Sequence, residues 1–246
     1  MHKFFGFIWE LQKDVRRNEV LPLATQLTYR LIFALFPFLI FLIALVGYFD
    51  IEPSRLMADV SAALPEGIAE VVNEVIDEVF DTRNPAILSG GLFLSLFTAI
   101  NGFRAVMRGV NRVYEQGDKR NILKQWGIAA LLMLISAAAI TLSILVLNMP
   151  FGLLLIPAIL IFAIILIYRL ANGQKHRLKE LLPGAALTVI IWIIATAAFN
   201  WFINNFSNLS LVYGGVASVF IAMLWLNIIS ITILLGAQLN VNLKAK

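Results

Sequence analysis

The sequence predicts an all-α polytopic membrane protein, a bundle of six transmembrane helices with an amphipathic extracytoplasmic helical loop. Three observations predict this fold class. First, 60% of the 246 residues are hydrophobic and only 14% are charged, whereas about 25% of residues are charged in soluble proteins. Second, several uncharged apolar runs reach the ~20 residues that a helix needs to cross a bilayer. Third, basic and acidic residues separate between alternate connecting segments.

The six spans follow from the apolar runs and from the turn residues that divide them. The segments 126–168 and 181–243 contain no charged residue, and each is long enough for two helices. Turn-forming residues divide the first at 148–150 and the second at 204–208. The chain is therefore one membrane domain over residues 1–246, with spans near 31–49, 85–103, 126–147, 151–168, 182–203 and 213–235.

The charge distribution predicts how the bundle sits in the membrane. Of the 19 basic residues, 17 lie in the segments 1–30, 104–125, 169–180 and 240–246. The segment 50–83 instead carries nine acidic residues. Because lysine and arginine collect in cytoplasmic loops, both termini are predicted to be cytoplasmic, and residues 50–84 are predicted to form an acidic outer loop.

Two amphipathic segments are expected outside the spans. Residues 1–30 begin with aromatic and aliphatic residues and continue with basic ones, which is typical of a cytoplasmic interfacial helix. In the outer loop, apolar residues recur at helical spacing against acidic residues, and they are Ile68, Val71, Val72, Val75, Ile76, Val79 and Phe80. We expect this apolar stripe to pack on the membrane domain or lie in the interface, with partner binding or gating as the alternative.

Arg30 and Pro37 interrupt the first apolar run. At about 1.5 Å per residue, a helix ending at Phe49 places Arg30 at the inner membrane boundary, where it can reach lipid phosphate. If the helix begins near Pro22 instead, Arg30 would face the bundle interior and need a partner or a wet cavity. Both placements stay open. Pro37 lacks a backbone N–H, so a helix kink is predicted there.

A basic stripe is predicted where the chain leaves the second span. Arg104, Arg108 and Arg112 recur every four residues, which places them on one helix face. Anionic lipid headgroups are their expected contacts, with ordinary topology-setting charge as the alternative and no nucleic-acid partner. The candidates for lining a cavity or binding a headgroup are therefore Arg30, Asn101, Arg104, Arg108, Arg112 and Asn227. Separately, a small-residue stripe for helix packing is formed by Gly214, Ser218 and Ala222.

The residue inventory predicts neither an enzyme nor a metal or cofactor site. A ribonuclease needs carboxylates that hold metal ions, or histidines that move protons. The two histidines, His2 and His176, lie in charged flanks, and the chain has no cysteine. The spans contain no acidic residue, which disfavours a transporter driven by proton or sodium coupling.

Five stretches carry a family resemblance. They are Leu27-Thr28-Tyr29, Leu35-Phe36-Pro37, the run from Asn101 to Tyr114, Leu182-Pro183-Gly184-Ala185, and the run from Tyr213 to Asn240. Through them the chain resembles the YihY/virulence factor BrkB family over nearly its whole length. The resemblance implies an integral protein of the bacterial cytoplasmic (inner) membrane, and it implies no mechanism. Members once carried the label ribonuclease BN, which is regarded as mistaken. Gln238 stands where many members have glutamate.

Two functions are compatible with these features. The first is handling or transport of a lipid or another amphiphile through a polar cavity in the bundle, fringed by the candidate residues above. The alternative is a structural or adaptor membrane protein that recruits a protein partner through its acidic outer loop or its basic cytoplasmic face. A cavity open to one side would favour the first function, and a filled bundle would favour the second. The sequence defines neither the ligand nor the oligomeric state.

Overall fold

The computed structural model describes residues 2–47, 53–63, 66–81, 85–114, 120–147, 149, 151–173, 176–205 and 215–244. These residues form α-helices and no strand. In chain order the described helices are α1 (His2–Arg17), α2 (Val20–Gly47), α3 (Pro53–Ala63), α4 (Glu66–Asp81), α5 (Pro85–Val113), α6 (Ile122–Leu147), α7 (Gly152–Asn172), α8 (Leu178–Asn205) and α9 (Gly215–Lys244). The all-α fold class is therefore confirmed.

Several of these helices have the length and composition of membrane spans. Within the described residues there are five, over Val20–Ile43, Ile122–Leu147, Leu154–Asn172, Leu178–Ala198 and Phe220–Lys244. They coincide with all the predicted spans except the second. That span, near 85–103, lies on α5, whose side chains are described from Leu94 onward. The described residues thus contain five candidate membrane spans, and the count of six stays a prediction.

The N-terminal segment contains two helices. Within residues 1–30, for which the sequence predicts a cytoplasmic interfacial helix, α1 ends at Arg17 and α2 begins at Val20, which agrees with the alternative of a helix that begins near Pro22. Glu19 has a positive φ of 50°, a conformation that interrupts a helix. Pro22 sits in the first turn of α2, where a missing N–H costs no hydrogen bond. Arg30 therefore lies inside a long apolar helix rather than at its start.

The last helix is longer than predicted. The last span is predicted to end near residue 235, but α9 continues to Lys244. Its late polar residues are buried and face other helices, and they are Gln238, Asn240 and Asn242. The segment predicted as the outer loop contains two helices, α3 and α4. Pro37 lies inside α2, which continues to Gly47, and the bend at Pro37 stays a prediction.

Six of the helices form a closed ring, in the order α2, α5, α6, α7, α8 and α9. Each helix contacts the next in this order, and α9 contacts α2. In addition, α5 crosses the ring to contact α7 and α9. Buried residues of these three helices belong to one hydrophobic cluster, among them Met107, Tyr168 and Leu234. The ring is therefore filled near the end at which α5, α7 and α9 finish.

The filled end of the ring is also where the basic segments meet. Asn242 on α9 donates a hydrogen bond of 2.8 Å to the Asp14 carboxylate on α1. Arg120, which precedes α6, donates one of 2.8 Å to the Leu170 carbonyl in the last turn of α7. Four segments separated in sequence thus gather at one end, which we call the basic end. This grouping is what an alternating topology requires.

The opposite end of the ring is covered by α3 and α4. Val72, Val75 and Ile76 on α4 are buried in a cluster with Leu39 and Ile43 on α2. The acidic side of α4 stays exposed, at Glu70, Glu74 and Asp77. Packing of the apolar stripe on the membrane domain is therefore confirmed for these three residues. The side chains of the other four predicted stripe residues, Ile68, Val71, Val79 and Phe80, lie outside the described part of the chain.

Candidate functional site

A cavity of about 490 Å³ lies inside the helix ring. All six ring helices contribute to its wall, and its lining is almost wholly aliphatic and aromatic. The residues that contribute include Leu31, Leu35, Phe38, Leu42, Phe103, Val106, Ile140, Ile144, Leu160, Ile164, Trp192, Trp225 and Ile229. A volume of this size falls in the range of about 300–1,000 Å³ that is typical of small-molecule sites.

The cavity is elongated along the helix axes. Its lining runs from Leu31 to Leu42 on α2 and from Ile156 to Ile167 on α7, so the two ends are 11 positions apart in each helix. The same separation occurs over 136–147 on α6 and over 222–233 on α9. At about 1.5 Å per residue, the cavity is about 16 Å long. It therefore covers roughly half of a hydrocarbon core of about 30 Å.

Few polar groups reach the cavity. The polar lining residues with hydroxyl or carboxyl groups are Asp59, Ser136 and Ser143. Ser143 donates its hydroxyl hydrogen to the Ala139 carbonyl at 2.8 Å, so this hydroxyl is bound within its own helix. Asp59 belongs to α3, so the carboxylate in the cavity wall lies at the end of the ring that faces α3 and α4. The cavity is thus apolar along its length, which corrects the expectation of a polar one.

The two ends of the cavity differ in the residues that lie there. At the basic end, side chains that are completely buried fill the ring, including Met107, Val110 and Tyr168. At the opposite end, Asp59 on α3 and Val72 on α4 contribute to the lining. The helices α3 and α4 therefore form part of the cavity wall at that end.

The polar residues proposed from the sequence lie outside the cavity wall. None of the six candidates, Arg30, Asn101, Arg104, Arg108, Arg112 and Asn227, is a lining residue. Asn227 on α9 donates a hydrogen bond of 3.1 Å to the Thr28 hydroxyl on α2. The Thr28 hydroxyl in turn donates to the Ala24 carbonyl at 2.8 Å. Asn227 therefore joins two ring helices.

Arg104 lies in an aromatic and amide environment on α5. Its guanidinium carbon is 4.4 Å from the centroid of the Trp126 ring, which is a cation–π distance. One guanidinium nitrogen donates to the Asn101 side-chain oxygen at 3.4 Å, and Asn101 donates to the Phe97 carbonyl at 3.2 Å. Phe97 stacks on Trp126 at a centroid distance of 5.1 Å. Asn101 and Arg104 are thus brought together, on the outer side of the ring.

Arg108 lies one turn after Arg104 on α5, and Arg112 is exposed one turn beyond. Partial burial lowers the pKa of Arg108, and the charges of Arg30 and Arg104 lower this pKa further. The charges of Arg30 on α2 and of Arg104 on α5 therefore both act on Arg108. The role of these arginines as headgroup residues stays a prediction.

The predicted packing stripe is described at only one of its positions. Gly214 lies outside the described residues, and Ser218 lies on α9 with an undescribed side chain. Ala222 is buried and lines the cavity. The stripe therefore stays a prediction, and close helix contacts occur at other glycines. A Cβ atom at Gly184 would overlap the Gly236 carbonyl oxygen, so α8 and α9 cross at these glycines without intervening side chains.

Sequence reasoning missed a chain of amides at the basic end. Asn18 donates to Gln238 at 2.9 Å, and Gln238 donates to Asn242 at 2.7 Å. Asn242 then donates to Asp14. The signal was the spacing of Gln238 and Asn242, four residues apart on a helix, which places both side chains on one face. These amides fix α1 on α9.

A buried tyrosine and a second amide complete the polar contacts of the basic end. Asn240 accepts a hydrogen bond of 2.8 Å from the Gly184 backbone N–H, which joins α9 to α8. Burial raises the pKa of Tyr114 to about 12, and the neighbouring Asn240 side chain opposes this shift. The Tyr114 ring also lies 5.6 Å from the His176 ring. Tyr114 therefore stays neutral at physiological pH.

Comparison with known proteins gives matches along almost the entire chain. The ribonuclease-like protein YfkH of Bacillus subtilis is 25% identical over 258 residues, covering 96% of this chain and 94% of that protein. A UPF0761 membrane protein of Haemophilus influenzae is 24% identical over 256 residues, again covering 96% of this chain and 94% of that protein. A UPF0761 membrane protein of Xanthomonas campestris is 25% identical over 261 residues, and the present chain spans 61% of its length.

No solved structure matches the chain. The family comparison is nevertheless decisive, because the virulence factor BrkB family matches residues 11–246. The match includes α2 and all the helices that follow it in the ring. The chain therefore belongs to the virulence factor BrkB family of membrane proteins.

Proposed function

We propose that this protein binds a lipid or another amphiphile in the cavity inside its helix ring and handles or transports it. The observation that carries the proposal is the apolar cavity of about 490 Å³, about 16 Å long, within helices that have membrane-spanning composition. An apolar cavity of this shape is complementary to a hydrocarbon chain, because burying apolar surface is favourable and the wall demands few hydrogen bonds.

The dimensions fit one hydrocarbon chain. The cavity has a volume of about 490 Å³ and a length of about 16 Å. This elongated shape suits an acyl or isoprenoid chain. The polar end of the ligand would lie towards Asp59 and Val72, because the packed residues at the basic end leave no room there.

The proposed topology has six spans, with α5 as the second. The basic end faces the cytoplasm of a bacterial cell, and the termini lie on that side of the inner membrane. The support is the gathering of the basic segments at one end and the acidic surface of α4 at the other. The helices α3 and α4 then lie on the outer side and cover the cavity.

A cavity-filling substitution tests the proposal. Ser136→Phe places a ring in the cavity wall, so we expect the amount of lipid that co-purifies with the protein to fall by about tenfold, equivalent to ~1.4 kcal/mol of binding free energy. Native mass spectrometry after gentle extraction from the host membrane measures the retained lipid. Ala138→Phe is the matched control, because Ala138 lies two residues away on the exposed side of α6.

The same measurement distinguishes the proposal from a packing role for the bundle. If wild type, Ser136→Phe and Ala138→Phe carry the same lipids in the same amounts, the cavity holds no ligand and the proposal is wrong. If wild type and Ala138→Phe retain one defined amphiphile and Ser136→Phe does not, the proposal is supported. A flux assay with that amphiphile is then the next experiment.

A further inference from the structure

We propose a second lipid site, separate from the cavity, at which Arg30, Arg104 and Arg108 bind a phosphomonoester headgroup at the junction of α2 and α5. This site would hold a lipid against the outer surface of the ring. The proposal does not depend on the contents of the cavity.

The first argument is uncompensated charge. The three arginines lie near enough for the charges of Arg30 and Arg104 to act on Arg108. Among the ion pairs and hydrogen bonds found for the described residues, none joins Arg30, Arg104 or Arg108 to a carboxylate. Three like charges at one junction repel one another. An anion bound among them would remove this repulsion.

The second argument is an unused buried donor. The Nε atom of Arg104 is buried and has no hydrogen-bond partner. Because a guanidinium has five N–H donors and no acceptor, only an oxygen or a similar acceptor can satisfy this atom. The Trp126 ring and the Asn101 amide hold the guanidinium in place. A guanidinium held in this way presents a fixed geometry for the paired hydrogen bonds that phosphate oxygens accept.

The surroundings favour a lipid as the source of the phosphate. Tyr29 and Phe33, which flank Arg30 on α2, are 63% and 61% exposed. Phe97, one turn before Asn101 on α5, is 50% exposed. Tyrosine and tryptophan are enriched at the boundary between hydrocarbon and headgroups, and Tyr29 and Trp126 lie next to Arg30 and Arg104. A lipid can therefore place its phosphate on the arginines and its chains along these rings.

The site is separated from the cavity by the contact between α2 and α5. Phe103 and Val106 line the cavity, whereas Arg104 and Arg108 lie on the opposite side of α5 at 3.6 residues per turn. Between the two sites, a Cβ atom at Gly102 would overlap the Ala34 Cβ. The helices are thus in direct contact there, and a headgroup on the arginines cannot send its chain into the cavity at this level.

The net charge of the site selects the headgroup class. A phosphomonoester carries about −1.5 to −2 charges at neutral pH, whereas a phosphodiester carries one. Three arginines without a carboxylate interact more strongly with the doubly charged group. We therefore expect phosphatidic acid to bind about tenfold more tightly than phosphatidylglycerol, and this preference to weaken as salt concentration rises.

The test compares lipid binding to the full-length protein in detergent micelles. Native mass spectrometry would follow titration with phosphatidic acid and with phosphatidylglycerol, for wild type, Arg30→Gln and Arg108→Gln. We expect both variants to lose the preference. Arg112→Gln is the control, because Arg112 is an exposed arginine of the same helix outside the cluster, and it should keep the preference.

Three outcomes would overturn the proposal. Equal affinity of wild type for the two lipids would exclude a phosphomonoester site, and an equal loss in Arg112→Gln would show general attraction to basic residues. Displacement of phosphatidic acid by millimolar inorganic phosphate would show that free phosphate, not a lipid, is the ligand. Ser136→Phe should keep the preference, so failure of the cavity proposal and failure of this one are distinguishable.

Discussion

Gly236→Ala is expected to destabilise the protein by several kcal/mol, whereas Gly127→Ala is not. A Cβ at position 236 would overlap the Gly184 carbonyl, the Thr188 hydroxyl and the Tyr168 hydroxyl. The Gly184 carbonyl belongs to a helix backbone and cannot rotate away, so α8 and α9 must separate. Overpacking of this kind typically costs about 1–3 kcal/mol or more.

The same substitution also disturbs buried hydrogen bonds. The Tyr168 hydroxyl donates to the Ile233 carbonyl at 2.8 Å and lies 3.0 Å from the Thr188 hydroxyl. Each such bond contributes about 1 kcal/mol. Thermal unfolding in detergent, followed by tryptophan fluorescence, measures the combined loss as a fall in Tm.

Gly127→Ala provides the control for that measurement. A Cβ at Gly127 on α6 meets no atom within 4 Å, so alanine adds no clash there. Because alanine favours a helix over glycine by about 1 kcal/mol, the control should have an unchanged or slightly higher Tm. Equal Tm values for both variants would contradict the close crossing of α8 and α9.

Gln238→Leu is expected to loosen the attachment of α1 to the ring. Gln238 is 1% exposed, and its side chain links Asn18 to Asn242. Leucine would remove both of these hydrogen bonds, at a cost of about 1–3 kcal/mol for each buried polar group left unpaired, while the bond from Asn242 to Asp14 remains. Hydrogen exchange of the α1 backbone should therefore become faster, while exchange in α6 should stay unchanged.

Gln26→Leu is the matched control for the hydrogen-exchange experiment. Gln26 lies on α2 and is exposed, so leucine there removes no interhelical bond. If α1 exchanges at the same rate in Gln238→Leu, Gln26→Leu and wild type, the amide chain does not hold α1 on α9.

The sequence predicted the helices better than the contacts between them. Hydrophobic runs and charge segregation are local properties, so they predict apolar helices and the separation of basic from acidic segments. The sequence left open whether the first helix begins near Pro22 or at a boundary marked by Arg30, and it placed the end of the last span near residue 235, before Gln238. Gln238 is satisfied by Asn18, more than 200 positions away in the chain, and by Asn242 in its own next turn.

The candidate site was harder to predict for a similar reason. A polar cavity was expected because polar residues occur near the spans, but Asn227 bonds to Thr28 within the ring, and the arginine cluster lies on its outer side. A cavity is a volume that side chains leave empty, and no residue type marks it. The apolar wall is assembled by six helices, and a sequence pattern does not show how far apart they stand.

The cavity inside the helix ring also affects how the stability of the protein responds to hydrostatic pressure. Unfolding eliminates internal voids, and the resulting decrease in volume means that pressure favours the unfolded state. A cavity of about 490 Å³ therefore makes the unoccupied protein compressible and sensitive to pressure. A hydrocarbon chain in that cavity would remove most of this volume difference. The occupied protein would therefore be less compressible and less sensitive to pressure.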